Sequence, residues 1–262
     1  MEKKIKIAVT GAYGRMGTSI IQEIKKNKNV ILHCCIVKEK KQEITIENNK
    51  NTNIISNIEQ EIKNFDILID FSTPNNTLNN LKICKKYKKN IVIGTTGFSK
   101  QEIQIIKQYS QYIGIVFSYN FSIGINIIFK ILKQSVQMFD SSYDIEILEL
   151  HHRNKLDSPS GTALKLGEII TNNKQWNLEK CSIYRKKETT NIRKSNKIGF
   201  SIIRGGDIIG EHTIMFLGKG EKINISHQAT NRNTFAQGAI KSAIWLHNKK
   251  NGLFDMMDVL NI

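Results

Sequence analysis

The sequence predicts an α/β chain in two parts: a first domain built on a parallel sheet with flanking helices, then an α+β domain with a mixed or antiparallel sheet. Three observations carry that expectation. Over residues 4–118, short apolar runs alternate with amphipathic stretches of about three turns, the pattern of βαβ units. A glycine-rich stretch, GAYGRMG (11–17), follows the first apolar run directly. From about residue 122 the texture changes to longer runs that alternate apolar with polar residues and are punctuated by glycine turns, which suits a sheet covered on one face.

Taken in order, KIKIAV (4–9) reads as a strand and 14–27 as a helix with one apolar face. VILHCCIV (30–37), FDILIDFS (65–72), IVIG (91–94) and IGIVFS (113–118) read as further strands. Helices over 75–90 and 100–112 lie among them, and the lysine- and asparagine-rich stretch 38–57 reads as a loop or weak element. The second part opens with a helix over 123–139, then a strand, YDIEILEL (143–150), and a helix over 160–173. Strand-like runs follow at 181–186, 198–206, 208–220 and 221–229, and a helix over 234–250 comes last. Both prolines, Pro74 and Pro159, fall after a strand and before a helix, where a fixed φ and a missing N–H do least harm.

Composition narrows the functional classes. At 262 residues the chain is long enough for two modest domains with real cores. No apolar run approaches the ~20 residues of a spanning helix, so no membrane partner is expected. The basic start runs straight into a strand and a glycine loop, without the apolar stretch and small-residue site of a secretory signal. The expectation is a cytoplasmic protein. Cys34, Cys35, Cys84 and Cys181 have neither CxxC nor zinc-finger spacing, so no metal site and no disulfide framework is expected. The net charge of +16 raises nucleic acid as a partner. The lysines are scattered among Asn and Ile, however, with no paired-aromatic signature, so no nucleic-acid partner is expected.

In GAYGRMG a strand ends in a tight turn, glycines let the backbone approach a pyrophosphate, and a helix N-terminus faces the anion. The GxxGxxG spacing differs from the usual GxGxxG register, with Ala12 where the first glycine would stand. The context, a chain-opening βαβ unit, makes the first domain Rossmann-like. Gly11, Ala12, Tyr13, Gly14, Arg15 and Met16 are the candidate cofactor residues of this loop. The second strand ends at Val37 and is followed by Lys38, Glu39, Lys40 and Lys41. A carboxylate for the ribose hydroxyls is missing there, and cations stand where a 2′-phosphate would lie. Lys38 joins the candidates, and NADPH is favoured over NADH. GTTGF (94–98) and FSYNFS (117–122) fall at C-terminal strand ends, where open α/β sheets bind ligands.

The segment ELHHRNKLDSPSGTA (149–163) crowds His151, His152, Arg153 and Lys155 beside a helix start. Asp157 or Ser158 can cap that helix, and Gly161 and Thr162 supply backbone N–H groups and a hydroxyl in its first turn. Such a place suits carboxylates, with His and Lys as proton donors near neutrality. The competing zinc reading lacks HExxH spacing and a completing cysteine.

GAYGRMG, DFSTP (70–74), GTTGF, NFSIGIN (120–126), ELHHRNKLDSPSGTA, GDIIGEHT (206–213) and GLFDMMDVL (252–260) occur in this order. Together, from about residue 4 to 260, they closely resemble the 4-hydroxy-tetrahydrodipicolinate reductase family of diaminopimelate and lysine biosynthesis. The resemblance implies NADH- or NADPH-dependent reduction of a cyclic imine dicarboxylate with loss of water, hydride going to ring C4 and a proton to the neighbouring carbon. It implies that His151 and Lys155 handle protons and that His152, Gly161 and Thr162 bind the substrate. It also implies that Gly11 to Met16, Gly94, Thr95, Thr96 and Ser118, Tyr119, Asn120, Phe121 bind the nucleotide. By the same resemblance the nucleotide domain spans 1–122 with 232–262. Residues 123–231 then form the substrate domain, whose sheet assembles a homotetramer. Tyr13 and Val37 depart from the family's usual small residue and acid, which bears on cofactor choice. Two other readings are a reductase of a different dicarboxylate imine and a basic nucleic-acid-binding protein; the intact His151 and Lys155 argue against the latter.

Overall fold

The computed structural model describes residues 4–37, 53–184 and 192–262. In chain order the elements are β1 (Ile5–Thr10), α1 (Arg15–Lys26), β2 (Val30–Ile36), β3 (Asn53–Ile55), β4 (Ile67–Asp70), α2 (Pro74–Tyr87), β5 (Asn90–Ile93), α3 (Lys100–Tyr109) and β6 (Gly114–Phe117). They continue with α4 (Ile123–Ser135), β7 (Asp144–His151), α5 (Gly161–Lys174), α6 (Leu178–Cys181), β8 (Ser182–Ile183), β9 (Ile198–Arg204), β10 (Gly210–Gly218) and β11 (Glu221–Ala229). The last three are α7 (Asn233–His247), β12 (Gly252–Phe254) and α8 (Met256–Leu260). The chain forms two compact units, Met1–Ile123 with Arg232–Ile262, and Gly124–Asn231.

The first unit holds a seven-stranded sheet in the order β12-β6-β5-β4-β1-β2-β3, with every described pairing parallel. Alternation along the strands divides its core in two. Ile7, Val9, Ile69 and Val92 meet Ile20 and Ile24 of α1 and Ala239, Ile240 and Ala243 of α7 on one face. Ala8, Leu68, Ile91 and Ile93 meet Leu81 and Cys84 of α2 and Ile106 of α3 on the other. Because both faces are covered, β4 is buried at all four positions and reads as a continuous apolar run ending in Asp70. The helices start where local chemistry allows: α2 has Pro74 in its first turn. A reciprocal Ser99–Glu102 capping box opens α3.

The second unit holds a mixed sheet, β11-β10-β7-β9-β8, in which β10 runs antiparallel to β7 and β11 while β7, β9 and β8 are parallel. One face packs on α4 through Ile125, Phe129 and Leu132 and on α5 through Ala163, Leu166 and Ile170. Along β7 burial alternates strictly, placing Ile145, Ile147, Glu149 and His151 on the core face.

Several elements differ from the sequence expectation. The helix over 123–139 ends at Ser135 and tightens into a 3₁₀ turn at Val136–Met138. The run 181–186 contributes only the two-residue β8, preceded by the short α6, and its remainder lies outside the described residues. β3, β12 and α8 were not expected: three-residue strands carry too little periodicity to read, and their place comes from pairing with β2 and β6. Among the described residues, no helix is long and apolar enough to cross a membrane. All four cysteines are buried free thiols.

Candidate active site

In the first unit β1 is the switch point of the sheet, with β2 on one side and β4 on the other, and the glycine loop leaves its C-terminal end. That is where open α/β sheets bind ligands. Gly11 has φ +73°, and a Cβ there would fall 2.5 Å from the Phe71 carbonyl oxygen; one on Gly17 would fall 2.2 Å from the Gly11 oxygen. The loop is therefore closed to larger residues at both positions. Gly14 precedes α1 with no side-chain cap, so the helix start offers its N–H groups outward. Arg15 is exposed, Tyr13 and Met16 are half-buried, and Ala12 is packed in the core.

Gly94, Thr95 and Thr96 follow β5, and Ser118 to Phe121 follow β6, on the same edge of the sheet. Thr95 is 3% exposed and donates to the Asp70 carboxylate, 3.4 Å, while accepting from the Ser72 N–H and the Thr77 hydroxyl. Phe121 is a core residue against Phe71, ring centroids 5.4 Å apart, whereas Tyr119 is exposed. Lys38, with Glu39, Lys40 and Lys41, lies outside the described residues.

In the second unit the end of β7 and the start of α5 form a second polar cluster. His151 ends β7 and is 7% exposed; His152 is half-buried just beyond it, and Arg153 is exposed. The Lys155 Nζ lies 2.8 Å from Asp157 Oδ1. The Gly161 N–H at the start of α5 also favours the ionised Asp157 carboxylate. Burial opposes its ionisation, but the Lys155 ammonium and these donors outweigh that and hold it below the ordinary Asp value. Asp157 and Ser158, expected as caps, do not cap the helix. Ser160 does, its hydroxyl accepting from the Ala163 N–H at 3.2 Å, because α5 begins one residue later than expected.

Behind His151 stands Glu149, whose side chain is fully buried. One carboxylate oxygen accepts from Arg204 Nη2 at 2.8 Å and from the Ser160 N–H at 3.0 Å. The other lies 3.5 Å from His151 Nδ1 and 3.6 Å from His212 Nε2. Strand register delivers these partners: His212 on β10 is directly opposite Glu149, and Arg204 on β9 is opposite His151. The His212 Nε2 also meets the Ser160 hydroxyl at 3.2 Å, and its ring stands edge-on to His151 at 5.0 Å.

Glu149, Ser160, Arg204 and His212 were not among the residues expected from sequence. Glu149 was open to discovery, since it sits on the apolar face of an alternating strand two residues before His151. His212 was not, because only the β7–β10 register brings it there. Glu149, His151 and His212 place ligand-type atoms within 4.8 Å of one another. The Arg204 guanidinium, already on the same carboxylate, opposes a further cation.

Burial works against ionised Glu149, yet the neighbouring His212 and the hydrogen bonds from Ser160 and Arg204 outweigh it and hold the carboxyl far below the usual range. His151 is pushed down to about 4, first by burial and then by His212 and Lys155, with Glu149 opposing. At neutral pH the pair is thus a carboxylate facing a neutral imidazole.

A glycine loop on a parallel sheet in one unit, and a buried carboxylate–histidine cluster at a helix start in the other, define a dinucleotide-dependent oxidoreductase of two-unit α/β build. Family comparison makes this particular. Residues 5–121 match "Dihydrodipicolinate reductase, N-terminus" and residues 124–260 match "Dihydrodipicolinate reductase, C-terminus". The chain is 52% identical to the 4-hydroxy-tetrahydrodipicolinate reductase of Buchnera aphidicola subsp. Acyrthosiphon pisum (strain APS), over 100% of both chains. It is 46% identical to that of Buchnera aphidicola subsp. Baizongia pistaciae, over 98% of both. In fold it is similar to dipicolinate-bound dihydrodipicolinate reductase from Paenisporosarcina sp. TG-14, with TM-score 0.77 at 23% identity over 98% of this chain and 99% of that one. The chain belongs to the dihydrodipicolinate reductase family, whose members are pyridine-nucleotide-dependent reductases.

The depressed values of Glu149 and His151 make the second unit sensitive to acid. Unfolding restores them to about 4.3 and 6.5, so the unfolded chain binds more protons as pH falls. Stability is full above about pH 6.5; the His151 share is lost between about 6.5 and 4, and the Glu149 share from about 4.3 downward. Urea unfolding followed by Trp176 fluorescence in a Trp245→Phe background is expected to show a loss of roughly 1–3 kcal/mol between pH 7 and pH 4.5. His151→Gln should flatten that decline.

Proposed function

We propose that the chain reduces 4-hydroxy-tetrahydrodipicolinate to tetrahydrodipicolinate with NAD(P)H, releasing water and NAD(P)⁺, in diaminopimelate and lysine biosynthesis. The observation that carries this reading is the seat of the Asp157 carboxylate. The Lys155 ammonium lies 2.8 Å from it and the Gly161 N–H favours its ionised form, which supports this spot as a seat for a carboxylate. A substrate carboxylate displaces it and gains the same ammonium and the α5 N-terminus, with Thr162 and His152 alongside.

Gly11 to Met16, Lys38, Gly94 to Thr96 and Ser118 to Phe121 are the residues that would hold the dinucleotide, in the first unit. The uncapped start of α1 supports this, with the pyrophosphate on its N–H groups. Bound there, NAD(P)H supplies a hydride to ring C4 of the dehydrated substrate. Protonation at the neighbouring carbon then completes the reduction, and His151 and Lys155 are the groups that hold and deliver that proton. Lowered to about 4 by burial and by His212 and Lys155, His151 is neutral at pH 7. Two substrate carboxylates arriving beside it raise its proton affinity, so it becomes an acid when it is needed. NADPH is the preferred donor in this proposal, because no carboxylate closes β2 and Arg15 is exposed beside the loop. The assembly is a homotetramer through the second unit's sheet; Ile203, 46% exposed, and Ile223, 40% exposed, support an interface there. The site is cytoplasmic, in keeping with four free thiols.

Purified protein supplied with the upstream synthase product is expected to oxidise NADPH or NADH, followed by nicotinamide absorbance. No oxidation with either would refute the assignment. His151→Gln and Lys155→Ala are each expected to lower kcat by about two to four orders of magnitude; near-normal turnover in either removes its proton role. The kcat/KM for NADPH should exceed that for NADH, and Arg15→Ala should narrow the gap by up to about fivefold, the size of one exposed charge contact. Light scattering should give a mass near four times the 30.0 kDa chain.

A further inference from the structure

We propose that Glu149 is the positioning residue of the site. It holds the His151 ring with Nδ1 toward its carboxylate, so that Nε2 is the atom that exchanges a proton with substrate. This rests on the proton role of His151 given above. The distribution of donors on the two carboxylate oxygens carries the inference. Oε1 takes both hydrogen bonds, from Arg204 and the Ser160 N–H. Among the described residues Oε2 and His151 Nδ1 make no hydrogen bond, yet the two are buried and face each other at 3.5 Å, with His212 Nε2 at 3.6 Å from the same oxygen. A carboxylate kept only for structure would use both oxygens on donors. Here one oxygen is reserved for a ring that carries a transient charge, and such contacts are long in empty sites and tighten when charge develops.

The remaining groups facing the ring fit this reading. His212 from β10 limits ring tilt by its edge-on contact and binds Ser160. Arg204 from β9 fixes Glu149 in place while also donating to the Asp157 carbonyl at 2.7 Å. Lys155, from the loop after β7, and Arg204 and His212 all disfavour a protonated ring; Glu149 alone favours it. Remove that carboxylate and the ring loses the partner that fixes its tautomer and sustains its imidazolium form, as with the buried acid of other acid–histidine pairs.

The test compares Glu149→Gln, Glu149→Asp and His151→Gln by kcat, KM and pH profile. Glu149→Gln is expected to lower kcat roughly 10- to 1,000-fold, with KM for the dicarboxylate within about threefold. The alkaline limb of its kcat profile should move about one unit or more toward acid. Glu149→Asp, which keeps the charge, should restore the limb and at least part of kcat. In the unmodified protein, ¹⁵N NMR of the imidazole missing from His151→Gln should show Nδ1 protonated and Nε2 bare. Normal kcat and an unshifted limb in Glu149→Gln, with His151→Gln impaired, would overturn the positioning role and leave the reductase assignment standing. A normal His151→Gln would instead remove the proton role on which both depend. An Nε2–H tautomer in the unmodified protein overturns the proposal even if Glu149→Gln does not fold.

Discussion

The interaction on which the second unit depends is the solvation of one buried negative charge. Glu149 has no access to water, and an uncompensated carboxylate in such a place costs far more than a domain's net stability allows. The protein replaces water with the Arg204 guanidinium, the Ser160 N–H and the neighbouring His212. Those groups come from β9, from the cap of α5 and from β10. A shift of one residue in either pairing of β7 would turn them to the opposite face and strand the charge. The carboxylate therefore enforces the register that builds the site, and its effect reaches the helix start through Ser160, which caps α5 with its hydroxyl while giving its N–H to Glu149.

The first unit solves a similar problem differently. Asp70, at the C-terminal end of β4, is also fully buried. Its donors are neutral: the Ser72 hydroxyl at 2.5 Å, the Asn80 amide at 2.9 Å and the Thr95 hydroxyl at 3.4 Å. Burial dominates there and pushes its carboxyl upward, whereas the Arg204 guanidinium, Ser160 and the nearby His212 take Glu149 the other way. The contrast separates two uses of a buried acid. The Asp70 knot ties the loop after β5 to α2, and through Asn80 to Thr10 at the root of the glycine loop, 3.5 Å away. The Glu149 cluster keeps a full negative charge beside a titratable ring.

How much of this could be read from the chain depended on the distance in sequence over which each interaction acts. The βαβ units of residues 4–118 were legible because burial on both faces writes continuous apolar strands between amphipathic helices. β3 and β12 were not, since three residues have no period, and their stability comes from the strand beside them. The segment 149–163 was legible as chemistry because its strand end and helix start are adjacent in the chain. Its cap was misplaced by two or three residues, as helix boundaries usually are. Glu149 stood in view within that motif, but its meaning depends on Arg204 and His212, which a fold-level register supplies from 55 and 63 residues away, the differences 204 − 149 and 212 − 149. The nucleotide residues split the same way. Thr95 is legible as a turn hydroxyl, while its task of holding Asp70 is visible only with β4 and β5 side by side.

The electrostatics of the cluster give the arrangement its logic. Around His151 the chain places Lys155, Arg204 and His212 against a single carboxylate, so the resting ring is kept from carrying a proton. A cationic pocket with a neutral base attracts a dianion without first having to expel a proton or a counter-charge from the ring. On the proposed reading, two substrate carboxylates settling against Lys155 and the α5 N-terminus would cancel the surplus of positive charge that suppresses protonation. Glu149 is then the nearest remaining influence on Nδ1. In the proposed mechanism the cations that bind the substrate would thus set the moment at which the imidazole becomes an acid, and the buried carboxylate would decide which of its nitrogens does so. Both proposed roles follow from placing Glu149 and His151 two residues apart on the core face of β7.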